Sequence, residues 1–238
     1  NDLSPLSLPE LDCHLLLNQR LSEQLDLLAN DPEARWDVQE MEDWIARSCG
    51  QGLMPPGSAA ELDDNRLERR WQNLQKTVLS LGALRLQPQP ASQHSVVLMA
   101  GETAVQISTS RLRSRSLLQS WLKHLLAQRD DAACDTAVVC RQDGSAKADQ
   151  FHIAMRWRAL NPQEADHEIK ALQNLALHGE ELCWPVPPDS GLARALAWSK
   201  GEEAADKAFL NRWQGGFSGW AERDRPEQKV CFGSHCDA

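Results

Sequence analysis

The chain has 238 residues, 42% hydrophobic and 25% charged, which excludes intrinsic disorder as its main state and allows one large domain or two small ones. Its formal net charge of −9 excludes a uniformly basic nucleic-acid binder. No apolar run approaches the roughly 20 residues of a membrane-spanning helix, no basic-then-apolar secretory leader is visible, and an opening Asn1 in place of Met fits a fragment of a longer protein.

The first third reads as helical. From Leu11 to Leu28 apolar residues recur at helical spacing, at Leu17, Leu21, Leu25 and Leu28. Asp37 followed by Glu40 is a capping-box pattern. The helix it opens carries Met41, Trp44 and Ile45 and is expected to end near Gly50 or Gly52, before Pro55-Pro56-Gly57. A third helix is expected from Ala59 to Leu81, with Leu67, Trp71, Leu74 and Val78 on one stripe and Gly82 as its stop. Gln87-Pro88-Gln89-Pro90 breaks the pattern.

The period then changes. The run Val96 to Met99, Gly101, and the alternation through Val105 and Ile107 predict a hairpin. A basic amphipathic helix follows from Ser114 to Gln128, with Leu117, Leu118, Trp121, Leu122 and Leu125 expected in the core. Ala137 to Cys140 reads as a strand and Asp143-Gly144 as a turn. From Phe151 to Trp157 the alternation places Phe151, Ile153, Met155 and Trp157 on one face. Asn161-Pro162-Gln163-Glu164 starts a further helix carrying Ile169, Leu172, Leu175 and Ala176, ending before Gly179. Pro185, Pro187 and Pro188 form an extended linker. Short helices are expected at Gly191–Ser199 and Glu202–Trp213, then a Gly-rich loop and a last strand at Lys229–Phe232. This order predicts an α/β (α+β) fold with a small mixed sheet flanked by helices. Its parts are a helical N-terminal portion (1–86) and a core with C-terminal helices and tail (87–238).

Nine Trp stand against no Tyr, and bulky indoles serve cores and interfaces alike. Seven Cys at 13, 49, 134, 140, 183, 231 and 236 form no CxxC pair and lack the spacing of a zinc site. An odd, unpatterned set of thiols points to a reducing compartment. Charge is distributed in blocks: net −9 over 1–70, +5 over 71–160 and −5 over 161–238. Within the basic block, Arg111, Arg113 and Arg115 fall on one side if extended, just before a helix N-terminus. Guanidinium groups there suit phosphate, with Lys123 further along the same helix as a companion. The competing reading is a solvated face, or ion pairs to the acidic thirds.

Phosphate-loop, GxGxxG, GxSxG and HExxH patterns are all missing. A strand–hairpin–helix core can also host a metal-dependent nuclease. That chemistry requires an Asp on one strand and an acid-x-Lys on the next, so that carboxylates hold Mg²⁺. The hairpin offers only Glu102, at its turn, and the strand after Asp135 has no acid-x-Lys. An unorthodox site from Glu102, Asp135 and Lys147 is the remaining catalytic alternative. A third reading is a protein-interaction domain without DNA contact, anchored by Trp184, Trp213 and Trp220.

Several stretches together resemble the C-terminal domain of RecC, the gamma subunit of the exodeoxyribonuclease V (RecBCD) complex. They are Leu8-Pro9-Glu10 with Leu17-Asn18-Gln19-Arg20-Leu21; Ser110 to Ala127 with Trp121 and His124; and Asn161 to Leu196 with Leu182-Cys183-Trp184-Pro185-Val186-Pro187. The last is Lys207 to Gly233, with Trp213, Glu222-Arg223-Asp224-Arg225-Pro226 and Cys231-Phe232-Gly233. The leader before Asn18 and the hairpin before Arg111 look short for the family, and Arg225-Pro226-Glu227 replaces its acidic-Pro-aromatic. The resemblance implies a degenerate restriction-endonuclease-like (PD-(D/E)xK) core without an active site, in agreement with the missing carboxylates. It implies a non-catalytic, bacterial cytoplasmic module in a hetero-oligomer with RecB-like and RecD-like subunits. Such a module guides DNA ends in double-strand-break repair and recombination. No cofactor is expected in this segment, ATP and Mg²⁺ being used by the partner subunits.

Overall fold

The computed structural model describes residues 8, 10–31, 36, 40–54, 58–88, 96–130, 133–142, 149–181, 187–215 and 221–232. Eight α-helices and five strands run among them. They are α1 (Glu10–Asn30), α2 (Glu40–Gly50), α3 (Ser58–Leu79), β1 (Leu84–Pro88), β2 (Val96–Ala100), β3 (Thr103–Arg111) and α4 (Ser114–Arg129). Then come β4 (Thr136–Arg141), β5 (Phe151–Trp157), α5 (Pro162–Glu181), α6 (Pro188–Ala197), α7 (Glu202–Gln214) and α8 (Pro226–Phe232). The expected mixed α/β architecture is observed. The chain divides into two units, Asn1–Leu112 with Lys123–Ala165, and Arg113–Leu122 with Asp166–Ala238.

The first unit is built on a sheet of order β1-β2-β3-β4-β5. All neighbours are antiparallel except β3 and β4, which run parallel across the connection containing α4. Parallel neighbours require such a crossover, whereas β2 and β3 need only the two residues Gly101 and Glu102. Gly101 has φ +59°, and a Cβ at Gly82 would lie 2.6 Å from the Gly101 nitrogen, so the end of α3 and this hairpin meet backbone to backbone.

One sheet face is covered by α1 and α3. Leu16, Leu17 and Leu21 of α1 and Leu67, Trp71, Leu74 and Val78 of α3 bury against Ala100, Val105, Val139 and Phe151. The α3 stripe is the one its sequence spacing predicts. Trp36 packs on Trp71 with ring centroids 5.2 Å apart, and the Arg20 guanidinium lies 5.4 Å from the Trp71 centroid. A charged staple ties this layer to the sheet ends. Buried Arg70 donates to Asp149 (2.8 Å) and Glu10 (3.0 Å), and Arg141 also pairs with Glu10.

The other face meets the C-terminal half of α4. His124 Nδ1 lies 2.7 Å from Thr136 Oγ1, and its ring is 5.6 Å from that of Trp157. Buried Gln128 donates to the Cys134 carbonyl (2.8 Å) and accepts from the Leu160 amide (3.0 Å). Thr136 to Cys140 of β4 are therefore buried on both faces.

Several expectations are corrected. Gln87 and Pro88, expected to break the pattern, close the edge strand β1 (Leu84–Pro88), where a proline is tolerated. The β5 alternation does not persist: Val138 pairs with Met155 but Val139 with Ile153, so Ala154 is bulged. Phe151 and Ile153 face the α3 layer while Met155 and Trp157 turn to the α4 side, because one extra residue inverts every later side chain. In α4 the buried stripe carries His124, Leu125, Ala127 and Gln128, and Leu118 and Leu122 are exposed. The α5 helix runs through Gly179 to Glu181, and Leu175 on it is exposed. The Pro188 segment opens α6, its ring suiting a first helical turn. The expected strand at Lys229–Phe232 is part of α8. Asp37, Asp143 and Gly144 lie outside the described residues.

Candidate functional site

The three arginines of the basic run do not share one extended side. β3 ends at Arg111, which pairs in register with Arg141, and α4 begins at Ser114. Arg111 is partly buried in the sheet unit; Arg113, just outside the helix, and Arg115, in its first turn, are exposed in the second unit. Lys123 is exposed on α4 and belongs to the sheet unit.

The anion site expected at the α4 N-terminus is occupied from within. Asp189 Oδ1 accepts from Ser114 Oγ (2.6 Å) and from the Ser114 amide (3.4 Å). Its other oxygen accepts from Arg225 (2.5 Å) and Arg212 (3.4 Å). A helix N-terminus collects unpaired N–H groups and positive potential, and a carboxylate satisfies both. Burial pushes the Asp189 carboxyl up, but the Ser114 hydroxyl and the Arg225 guanidinium outweigh it and hold the group at about 2. The same contact raises the Arg225 guanidinium further, against the opposing effect of burial.

A second carboxylate does the same for α6. The N-cap of α6 is Pro187, whose side chain cannot accept a hydrogen bond. Glu222 supplies the missing acceptors: Oε1 takes the Asp189 amide (3.0 Å), and Oε2 takes the Ser190 amide and hydroxyl (both 2.6 Å). Glu222 and Arg225 both come from the Glu-Arg-Asp-Arg-Pro stretch singled out in the sequence. That stretch thus holds the second unit together by capping α6 and neutralising Asp189.

The expected tryptophan anchors distribute differently. Trp213 is 4% exposed and lies in the interior of the second unit, while Trp184 and Trp220 lie outside the described residues. Among the described residues, the indole that stands exposed is Trp198, 54% exposed in the turn after α6, with the Arg194 guanidinium 5.0 Å from its ring centroid. Sequence reasoning passed over it because it sits inside a helical segment; its place at the helix end, beside Lys200 and Gly201, was the available signal.

Of the alternative catalytic set, Glu102 is exposed at the hairpin turn and pairs with Arg85 at 3.5 Å. Asp135 Oδ1 accepts from the Ala159 amide at 2.8 Å, and Lys147 lies outside the described residues. Among the described residues, no three His, Cys, Asp or Glu side chains are grouped to hold a metal ion, and no helix is long and apolar enough to cross a membrane. Burial raises the Cys13, Cys49 and Cys134 thiols above their ordinary range.

A family model of the RecC C-terminal domain matches residues 1–199. The chain belongs to the RecC C-terminal domain family. The match takes in the sheet unit, α4, α5 and α6, and stops before the Glu222–Pro226 stretch. RecC C-terminal domains are subunit modules of RecBCD-type repair complexes, and this places the chain in that class. No curated protein matches the chain.

Proposed function

We propose that this RecC-type module is non-catalytic, holds RecB-like and RecD-like subunits in the assembled complex, and guides DNA along its basic middle. The family match over residues 1–199 carries the reading. Exposed Arg113, Arg115 and Lys123, in a stretch of net +5 within a chain of net −9, support a local phosphate contact. The internal occupancy of the α4 N-terminus by Asp189 means that this contact rests on the side chains and not on the helix end. The antiparallel β1-β2-β3 meander followed by the parallel β3–β4 crossover supports reading the sheet as a degenerate nuclease core.

Two measurements test this. Co-expressed RecB-like or RecD-like subunits are expected to capture the chain in a salt-resistant manner; failure of both to capture the folded chain overturns the assembly role. In the assembled complex, replacing Arg111, Arg113 and Arg115 together by Gln is expected to weaken DNA binding and flatten its salt dependence. Unchanged binding removes the DNA contact. Cleavage in Mg²⁺ or Mn²⁺ that is abolished by Glu102→Gln would reinstate the nuclease alternative.

A further inference from the structure

The helices α6 and α7 pack side by side, joined by the short turn Trp198–Lys200 and Gly201. Between them lies a groove of about 920 Å³ whose floor is apolar, formed by Ala195, Trp198, Phe209 and Leu210. Arg194 bridges its walls through Asp206 at 2.8 Å while stacking on Trp198. Continuous with it through Asp206 and Leu210 is a polar end lined by Glu202 and Glu203, with Lys207 beside them. Leu196 (52% exposed) adds apolar surface on the same helix as the groove wall. Trp and Arg are enriched among the residues that carry protein–protein binding energy. Half-exposed Trp198 lines this groove stacked with Arg194, and a hydrophobic groove receives the apolar face of an amphipathic helix.

We infer that the groove between α6 and α7 receives a helix of another subunit, apolar along the face that meets Trp198 and Leu210 and carrying Lys or Arg at the end that meets Glu202 and Glu203. Charge selects that occupant. A second copy of this chain, itself net −9, would bring like charges together when the same surface pairs with itself, which disfavours a symmetric dimer. A basic end relieves Glu202 and Glu203 and competes with Arg194 for Asp206. The inference rests on the reading of the chain as a subunit-holding module, and it assigns that role to a surface.

The test uses the full chain and the co-expressed RecB-like and RecD-like subunits. Trp198→Glu is expected to cut capture by one of them at least tenfold, the loss typical of a central anchor (about tenfold per 1.4 kcal/mol). The paired change Glu202→Lys and Glu203→Lys is expected to weaken capture at low salt, with part of the loss recovered as salt screens the new like charges. Both sites are solvent-facing, and an unchanged melting temperature verifies the fold of each variant. Wild-type capture with unchanged capture in either variant overturns the groove assignment and leaves the assembly role standing. Absence of wild-type capture overturns both. A dimer of the isolated chain in sedimentation that Trp198→Glu abolishes assigns the groove to a second copy and likewise overturns the proposal.

Discussion

In the sheet unit, α3 is held along its length by apolar contact: Leu67, Trp71, Leu74 and Val78 are all fully buried against α1 and the strands. In the second unit, α6 is held at its N-terminus by charge and hydrogen bonds, with Glu222 on two of its amides and Asp189 reaching out to Ser114 and two arginines. Apolar burial is non-directional and nearly independent of pH. Buried carboxylates are directional: they fix which helix end meets which, at the cost of sensitivity to the loss of any one partner. The family model ends at residue 199, so the residues that supply Glu222 and Arg225 lie beyond the matched region.

The sharpest way to break this contrast is at the two centres. Trp71→Ala removes a wholly buried indole together with its contact to Trp36 and is expected to cost the sheet unit about 3–5 kcal/mol. Hydrogen exchange should show the loss in α1, α3 and the strands first. Glu222→Ala leaves the Asp189 and Ser190 amides without acceptors and is expected to cost the second unit about 3 kcal/mol. The exchange protection of those two amides is the direct readout, and protection unchanged from wild type would show that α6 needs no tertiary cap.

Acid separates the units more gently. The Asp189 carboxyl sits at about 2 in the folded chain against 3.8 when unperturbed. Its stabilisation is therefore complete above about pH 4 and is lost as pH falls through 2. Asp189→Asn should remove that acid-dependent step from the second unit's stability curve. In the sheet unit the sensitive group is His124, lowered from 6.5 chiefly by burial, against smaller upward pulls from the Arg158 backbone and Asp135. The unfolded chain binds a proton below pH 6.5 that the folded one resists, so the sheet unit weakens as pH drops from 6.5. His124→Asn keeps an acceptor near Thr136 and should flatten this slope, a smaller effect than either truncation. Persistence of the slope in His124→Asn would place the proton elsewhere.

Elements whose determinants lie within one or two turns could be read directly. The α3 stripe at Leu67, Trp71, Leu74 and Val78 follows the helical period. The start of α5 is a reciprocal cap, with Asn161 Oδ1 accepting from the Glu164 amide (2.8 Å) and Glu164 Oε2 from the Asn161 amide (3.0 Å). The misread elements lack such local determinants. β1 is short, carries Pro88, and is recognisable as a strand only through its pairing with β2. The β5 bulge at Ala154 exists only in relation to β4. At the candidate site the basic side chains could be named from the sequence, but the anion already seated at the α4 N-terminus could not, because Asp189 is 75 residues from Ser114.

The sequence by itself determined the mixed α/β class, most helix positions and the hairpin at Gly101, because periodicity, caps and turn residues act over a few neighbouring positions; the family was legible only through the likeness of whole stretches to RecC C-terminal domains. Only the tertiary structure decided what caps α4 and α6 and that Trp198 rather than Trp213 faces solvent. Glu222 caps a helix 33 residues away, Trp213 is buried, and Trp198 lines a groove. These outcomes depend on distant side chains meeting, and the free energy of such meetings comes from burial and pairing that no local pattern encodes.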